Sequence, residues 1–311
     1  MAQRDIEQPK LLQSLDPDVV QVDNQDLYHP LFAHDGDSVL CSRDRTMFRI
    51  HSIVLRATSG WFRTLFTLPQ PTSESDCDPR VKKSHGPLHV SEDAATLAAL
   101  LQIVCGLGPP NIPDIDAAED ILVAAEKYDM AGAVSTIRHV VMHPPIISSS
   151  PLRVYSLACC RGWEDEIRMA SSHTLSLDLC SDTSMAQLQR CGMSCYDLAK
   201  LMALHRQRRD DIRTKLSNPS LFSANNDSPC SKCSFKLRHA RWAEFKATLI
   251  ETLETHPLGA AWTLDDLWER PRLFEMLDDA CPECGTPMYS VEFTLKHLKS
   301  LVQDLPQVVS T

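Results

Sequence analysis

The chain lacks the sequence features of membrane-spanning, secreted and nucleotide-using proteins. No apolar run approaches the ~18 residues that a bilayer crossing needs, and the first ten residues contain no apolar segment of the kind found in a secretory signal. We therefore expect a soluble intracellular protein, cytoplasmic and/or nuclear, with no membrane partner. Phosphate loops, nucleophile elbows and dinucleotide fingerprints are also absent, so the sequence offers little support for catalysis.

An excess of positive charge is missing as well. The formal net charge is −10, whereas nucleic-acid binding needs clustered Lys and Arg. The one basic cluster, residues 205–209, is followed at once by Asp210 and Asp211, which favours a solvated helix face. We predict no nucleic-acid partner. With 311 residues and 43% hydrophobic content, the chain is long enough for about two folded domains.

Residues 37–66 predict a small unit of strands and helices. Two strand-like runs flank the polar turn 43–45, which is typical of a hairpin. His51 opens a first helix and is predicted to be a buried structural histidine, and Ser59 is the predicted N-cap of a second helix. A third strand at 88–90 leads to a helix that Ser91 is predicted to cap. Residues 119–142 give two further helices. The predicted core positions are Ile53, Leu55, Phe62, Leu101 and Tyr128.

The order of these motifs resembles the BTB/POZ domain. The matching residues are Asp37-Ser-Val39, Phe48-x-x-His51, Leu55-x-x-x-Ser59-x-x-Phe62 and Ala124-Ala-Glu-Lys-Tyr-Asp-Met130. Residues 65–71 are similar to the branch of BTB proteins abundant in mushroom-forming (basidiomycete) fungi. The resemblance predicts a BTB/POZ domain at 31–143, a small sheet flanked by helices, after a disordered tail at 1–30.

The resemblance implies a function without catalysis. It predicts an adaptor or scaffold that binds proteins, either in a cullin-type ubiquitin ligase or in transcriptional regulation. The partner surface would combine the edge of the first strand, the second helix and the loop 69–87. Two departures bear on the partner. Ser52 replaces a basic residue that many BTB domains carry, and residues 68–85 contain no hydrophobic-x-Glu element of the cullin-binding kind. Homo-oligomerisation is left open.

Residues 144–311 predict an all-helical region, which makes the fold class α+β. Pro144-Pro145 marks the boundary; Ser150 and Gly162 are predicted to start and end a helix, and Ser194 to cap a later one. The pair of helices at 151–170 is similar to the start of a BACK-type extension. Further helices are predicted at 242–253, 264–277 and 291–302.

Two Cys-x-x-Cys pairs carry the chemistry of this region. Because a reducing compartment disfavours disulfides, Cys230, Cys233, Cys281 and Cys284 predict one structural zinc site with four thiolate ligands. Four unligated thiols on loops are the alternative for the site. The alternative for the function is a zinc- or thiol-dependent enzyme in the C-terminal half, but four thiolates leave no open metal position. The remaining cysteines are predicted to be plain thiols.

Overall fold

The computed structural model describes residues 27–68, 86–226, 228–255, 257 and 271–310. Most of the predicted tail 1–30, most of the loop 69–87 and the first half of the predicted helix 264–277 therefore lie outside the described residues. Contacts divide the chain into two compact units. The first unit holds the described residues up to Pro110 together with Ile121–Ala133, and the second holds Asn111–Asp120 and the described residues from Val134 onward. The division at 143/144 stays a prediction.

The first unit contains a three-stranded sheet. Its strands are β1 Ser38–Cys41, β2 Met47–Ile50 and β3 Leu88–His89, in the order β2-β1-β3. β1 and β2 are antiparallel, with Leu40 opposite Phe48, and β3 runs parallel to β1. The predicted hairpin is therefore confirmed. The prediction of a free first-strand edge is wrong at Leu40 and Cys41, because both residues pair with β3.

Helices follow the strands along the chain. In order, those of the described residues before the cysteine pairs are α1 Ser52–Thr58, α2 Gly60–Leu65, α3 Ala94–Cys105, α4 Ile115–Lys127, α5 Ala131–Val141, α6 Pro144–Ser149, α7 Pro151–Arg161, α8 Glu164–Thr174, α9 Asp182–Arg190 and α10 Cys195–Ser217. The later ones are α11 Ala240–Thr255, α12 Pro271–Leu277 and α13 Val291–Gln303. Together with the small sheet, they confirm the α+β class. None of the helices in the described ranges is long and apolar enough to cross a membrane.

The core of the first unit matches most of the predicted positions. Leu55, Phe62, Leu101 and Tyr128 are all buried. Ile53 is 74% exposed, so its predicted burial is wrong. The reason is helix geometry: residues two apart in a helix point about 200° apart, so α1 can bury Leu55 or Ile53 but not both. His51 is also exposed, because it is the N-cap residue of α1 and lies outside the core.

Capping residues set most helix ends where the sequence places them. Ser59 accepts a hydrogen bond from the Phe62 N–H at the start of α2, and Ser194 caps α10 in the same way. Gly162 ends α7 in the left-handed conformation. The prediction that Ser91 caps α3 is wrong by two residues. The capping residue is Asp93, whose carboxylate accepts the Thr96 N–H at 2.8 Å, and α3 starts after Asp93.

The second unit is helical, as predicted, and includes two helices that the sequence analysis did not predict. Residues 144–149 form α6, because proline is tolerated in the first turn of a helix. α9 was not predicted. Helices α10 to α13 share one apolar core, which includes Ile212, Leu216, Trp242, Phe245, Leu249, Leu273, Met276, Leu295 and Leu298. Helices α11 and α13 of this core each follow one of the two cysteine pairs along the chain.

Candidate metal centre

The first cysteine pair lies in a tight turn closed by backbone hydrogen bonds. Pro229 and Lys236 form an antiparallel bridge at the base of this turn. The Cys230 N–H donates to the Phe235 carbonyl at 2.8 Å, and the Ser234 N–H donates to the Cys230 carbonyl at 2.9 Å. Ser234 has a φ of 60°, a conformation that non-glycine residues rarely adopt. We call residues 229–236 the first Cys turn.

The second pair lies in a turn of the same geometry. Its base is the bridge between Ala280 and Pro287. The Cys281 N–H donates to the Thr286 carbonyl at 2.9 Å, and the Gly285 N–H donates to the Cys281 carbonyl at 2.8 Å. Gly285 has a φ of 67° and occupies the position that Ser234 has in the first turn. The glycine after the second pair thus suits this tight turn. Residues 280–287 are the second Cys turn.

The two Cys turns bring the four predicted cysteines together. All four sulfurs lie within 4.8 Å of one another. The closest pairs join the turns: Cys230 Sγ lies 3.5 Å from Cys284 Sγ, and Cys233 Sγ lies 3.5 Å from Cys281 Sγ. A tetrahedral zinc with Zn–S bonds of ~2.3 Å places its sulfurs about 3.8 Å apart. The donor set and its spacing therefore fit one zinc ion.

Hydrogen bonds within each turn prepare two of the sulfurs to be thiolates. The Thr286 hydroxyl and N–H lower the pKa of the Cys284 thiol to about 6. The N–H groups of Cys233 and Lys232 lower the pKa of Cys230. The Phe235 N–H lowers the pKa of Cys233, but desolvation and the neighbouring thiols outweigh it and raise this pKa to about 12. Four sulfurs this close repel one another as thiolates, so a bound dication would stabilise the fully deprotonated set.

The centre has a buried half and an accessible half. Cys230 and Cys281 are 4% and 2% exposed, whereas Cys233 is exposed and Cys284 is half-buried. Each Cys turn is followed by a core helix that begins ten residues after the first cysteine, at Ala240 for α11 and Val291 for α13. A metal at the centre would therefore fix the starts of two helices that pack in the same core.

The sequence analysis missed a second link, between the segments that follow the two Cys turns. His239 Nδ1 and the Tyr289 hydroxyl lie 2.8 Å apart, at hydrogen-bond distance, just before α11 and α13. Neither residue belongs to a motif, so only the arrangement of the two turns identifies the pair. It adds a polar contact between the two segments and is independent of the sulfurs.

The other cysteines that the structure describes lie outside the four-cysteine cluster. Within the described ranges, no other group of three or more Cys, His, Asp or Glu side chains is arranged to hold a metal ion. Cys41 is buried, whereas Cys160, Cys180 and Cys195 are exposed. Burial raises the pKa of the Cys159 thiol to about 11, which disfavours its thiolate. The assignment of these cysteines as plain thiols stays a prediction.

No protein-family model matches the chain, and no curated protein matches it at a significant level. The resemblance to BTB/POZ domains therefore rests on the motifs alone and stays a hypothesis.

Proposed function

We propose that this protein is a non-catalytic adaptor, in which a BTB/POZ-like first unit binds a partner protein and one structural zinc stabilises the helical second unit. The observation that carries the proposal is a contact between two motifs far apart in sequence. The segment Leu55-x-x-x-Ser59-x-x-Phe62 meets the segment Lys127-Tyr128-Asp129-Met130 inside the first unit.

Two hydrogen bonds and a ring contact illustrate this contact. The Ser59 hydroxyl donates to the Tyr128 carbonyl at 2.5 Å, and the Gly60 N–H donates to the Asp129 carbonyl at 3.0 Å. The Phe62 and Tyr128 rings stack with centroids 5.3 Å apart. The motif residues thus serve packing and backbone pairing. Because these motif residues maintain the fold, they support the function of a scaffold, which presents a surface to a partner.

Asp37, the first residue of the BTB-like pattern, also has a structural use. Its carboxylate accepts the Ser52 N–H at 2.6 Å and the Ser52 hydroxyl at 2.7 Å. These two hydrogen bonds lower the pKa of Asp37. Asp37 therefore caps the start of α1. Many BTB domains have a basic residue at the position of Ser52, and because serine is uncharged, Asp37 and residue 52 form no charged pocket here. This supports partner recognition through other surfaces of the unit.

Exposed apolar side chains on and just after α1 and α2 are candidates for such a surface. Ile53 of α1, Trp61 of α2 and Leu68 after α2 are exposed, and exposed apolar residues that form a patch often mark a protein-binding site. A groove of about 260 Å³ is lined by β1 and by Leu65 and Phe66 at the end of α2. The surface retains the second helix from the sequence-based expectation and replaces the strand edge with α1.

The donor set of the metal centre favours a structural role. Four cysteine sulfurs complete a tetrahedral coordination sphere, whereas a catalytic zinc keeps one position for water or substrate. The two Cys turns supply all four ligands. The zinc would therefore contribute to folding of the second unit, and this argues against the alternative of a zinc-dependent enzyme.

The experiment that tests the adaptor function is partner capture with a matched surface variant. Ile53→Asp places a charge on the proposed surface without altering the core, and Met185→Asp does the same at an exposed position of α9 in the second unit. The captured proteins, identified by mass spectrometry, should be lost with Ile53→Asp and retained with Met185→Asp. Equal capture by both variants would contradict the proposed surface.

A direct binding measurement with a cullin N-terminal region decides between the two adaptor roles. Low-micromolar or tighter binding that Ile53→Asp removes would support the ubiquitin-ligase role. High-micromolar or weaker binding would remove that role and leave the role in transcriptional regulation. The absence of a hydrophobic-x-Glu element from residues 68–85 favours this second outcome.

A further inference from the structure

An aromatic-walled cavity of about 190 Å³ lies in the second unit, apart from the four sulfurs. Its lining contains no side chain that is charged at neutral pH. The residues that form it are Phe222, Ser223, Ala224, Trp242, Met288, Tyr289, Ser290, Phe293 and Thr294. Phe293 is 54% exposed, which places the cavity at the protein surface. Small-ligand sites have this character: concave, mostly apolar, with few polar groups.

Thr294 is the buried polar side chain of this lining. It is 6% exposed, and its backbone N–H donates to the Ser290 carbonyl in the first turn of α13. Its hydroxyl, however, makes no hydrogen bond to any part of the chain that the structure describes. The hydroxyl oxygen is not fully enclosed by the protein. Because Thr294 lines the cavity, a molecule in the cavity can contact this oxygen.

Several helical threonines of this protein make a hydrogen bond that Thr294 lacks. Such hydroxyls ordinarily donate to the carbonyl four residues earlier. In the described helices this bond is made by Thr58, Thr64, Thr214, Thr248 and Thr252. Thr294 has the same option at Ser290 and does not use it. Its hydroxyl, which the cavity reaches, is therefore available to a ligand with a hydrogen-bonding edge.

The polar ends of the aromatic walls are already occupied. The Trp242 Nε1–H donates to Asn225 Oδ1 at 2.9 Å, and the Tyr289 hydroxyl pairs with His239. The rings of Phe222 and Trp242 lie 4.8 Å apart, tilted by 33°. The walls therefore present apolar surface, and Thr294 supplies the buried polar group. This combination selects an uncharged, flat ligand with one polar edge.

We propose that this cavity binds an indole-type group, whose ring packs against Phe293 and Trp242 and whose N–H donates to the Thr294 hydroxyl. The size agrees, because a closed apolar cavity of roughly 150 Å³ holds benzene, and the present cavity is larger and open at one side. The group is either a free indole compound or the tryptophan side chain of a partner peptide. The inference is independent of the adaptor function.

The test uses the full chain, with its metal as purified, and three probes: indole, 1-methylindole and N-acetyl-tryptophanamide. Saturation-transfer NMR titrations give each dissociation constant. Indole should bind saturably and about fivefold more tightly than 1-methylindole, which lacks the N–H. Thr294→Val should remove this preference while leaving 1-methylindole binding unchanged. Indole that does not saturate, or a preference that survives Thr294→Val, would overturn the proposal.

A wall variant and a control complete the experiment. Phe293→Ala should weaken indole and 1-methylindole by about fivefold or more, since it removes an aromatic wall. Tyr196→Ala changes an exposed aromatic residue that does not line the cavity and should leave both constants unchanged; equal effects of the two variants would overturn the site. If N-acetyl-tryptophanamide binds as tightly as indole, the source is a peptide; if only indole binds, it is a small molecule.

Discussion

The Ser59 hydroxyl donates a hydrogen bond to the Tyr128 carbonyl, 69 residues further along the chain. The same oxygen accepts the Phe62 N–H and so caps α2. Ser59 is fully buried, and its two bonds join the start of α2 to the segment that follows α4. This single side chain links the two motifs on which the proposed adaptor function depends.

Ser59→Ala should therefore lower the free energy of unfolding of the first unit by about 1–3 kcal/mol, because it removes a helix cap and the shorter of the two hydrogen bonds to the buried Tyr128 carbonyl. The control is Ser91→Ala. The sequence predicts Ser91 as a cap, but Asp93 caps α3 in the structure. Chemical denaturation followed by circular dichroism measures both. A larger loss for Ser91→Ala would contradict the observed capping.

Gly36 is required by the strand beside it, which gives a second prediction. A Cβ at Gly36 would lie 2.3 Å from the backbone nitrogen of Ile50 in β2, whereas a Cβ at Gly132 would meet no atom within 4 Å. Gly36→Ala should destabilise the unit by about 1–3 kcal/mol through overpacking against the backbone. Gly132→Ala, in the first turn of α5, should be neutral or stabilising by up to about 1 kcal/mol. Thermal unfolding of the pair checks this, and equal melting temperatures would refute it.

The ionic contact of Glu92 predicts a dependence of stability on pH. Burial raises the pKa of Glu92, but hydrogen bonds from Lys127 and Tyr128 outweigh it and leave the pKa below its ordinary value of 4.5. A lowered pKa means that the folded state favours the carboxylate, so the contribution is complete above pH 4.5 and is lost as the pH falls through the lowered pKa.

The matching variant is Glu92→Gln, which keeps the shape and removes the charge. At pH 7 it should be less stable than the natural chain by about 1–2 kcal/mol. The difference should shrink below pH 4.5, where the natural carboxyl becomes protonated. Urea unfolding across pH 3–7 measures the difference. A gap that stays constant or grows toward acid pH would contradict the contact.

If the four cysteines hold a structural metal, replacing one of them should loosen the second unit and leave the first unit unchanged. Cys281→Ser or a zinc chelator should loosen helices α11 to α13, because a structural zinc contributes its binding free energy to folding. Cys180→Ser, at an exposed cysteine outside the cluster, should have no such effect. Hydrogen exchange resolved by peptide reports both units. Unchanged protection of α11 and α13 in Cys281→Ser would argue against a structural role.

The sequence could predict those features that depend on local spacing. The Cys-x-x-Cys pairs form similar turns because four or five neighbouring residues determine them, and Gly285 adopts the left-handed conformation that the turn needs. Ser59, Gly162 and Ser194 end or begin helices as expected, since capping depends on a few neighbours. The burial of Leu55, Phe62, Leu101 and Tyr128 follows from apolar periodicity in the same way.

Features that depend on distant contacts could not be predicted. Ile53 is as apolar as Leu55, and only the direction from which the core covers α1 leaves Ile53 exposed. The central position of β1 results from pairing with β3 about 50 residues later. The approach of the two Cys turns depends on the core shared by α10 to α13. The unpaired hydroxyl of Thr294 is visible only once the cavity around it is known.

The measurement that tests the central claim most directly is zinc X-ray absorption spectroscopy on the full chain, purified without a histidine tag, together with metal analysis. The account predicts about one zinc per chain, with a first shell of four sulfurs at about 2.3 Å and no nitrogen or oxygen ligand. Protein that carries no stoichiometric zinc, or a shell that includes nitrogen or oxygen, would contradict the closed four-cysteine site.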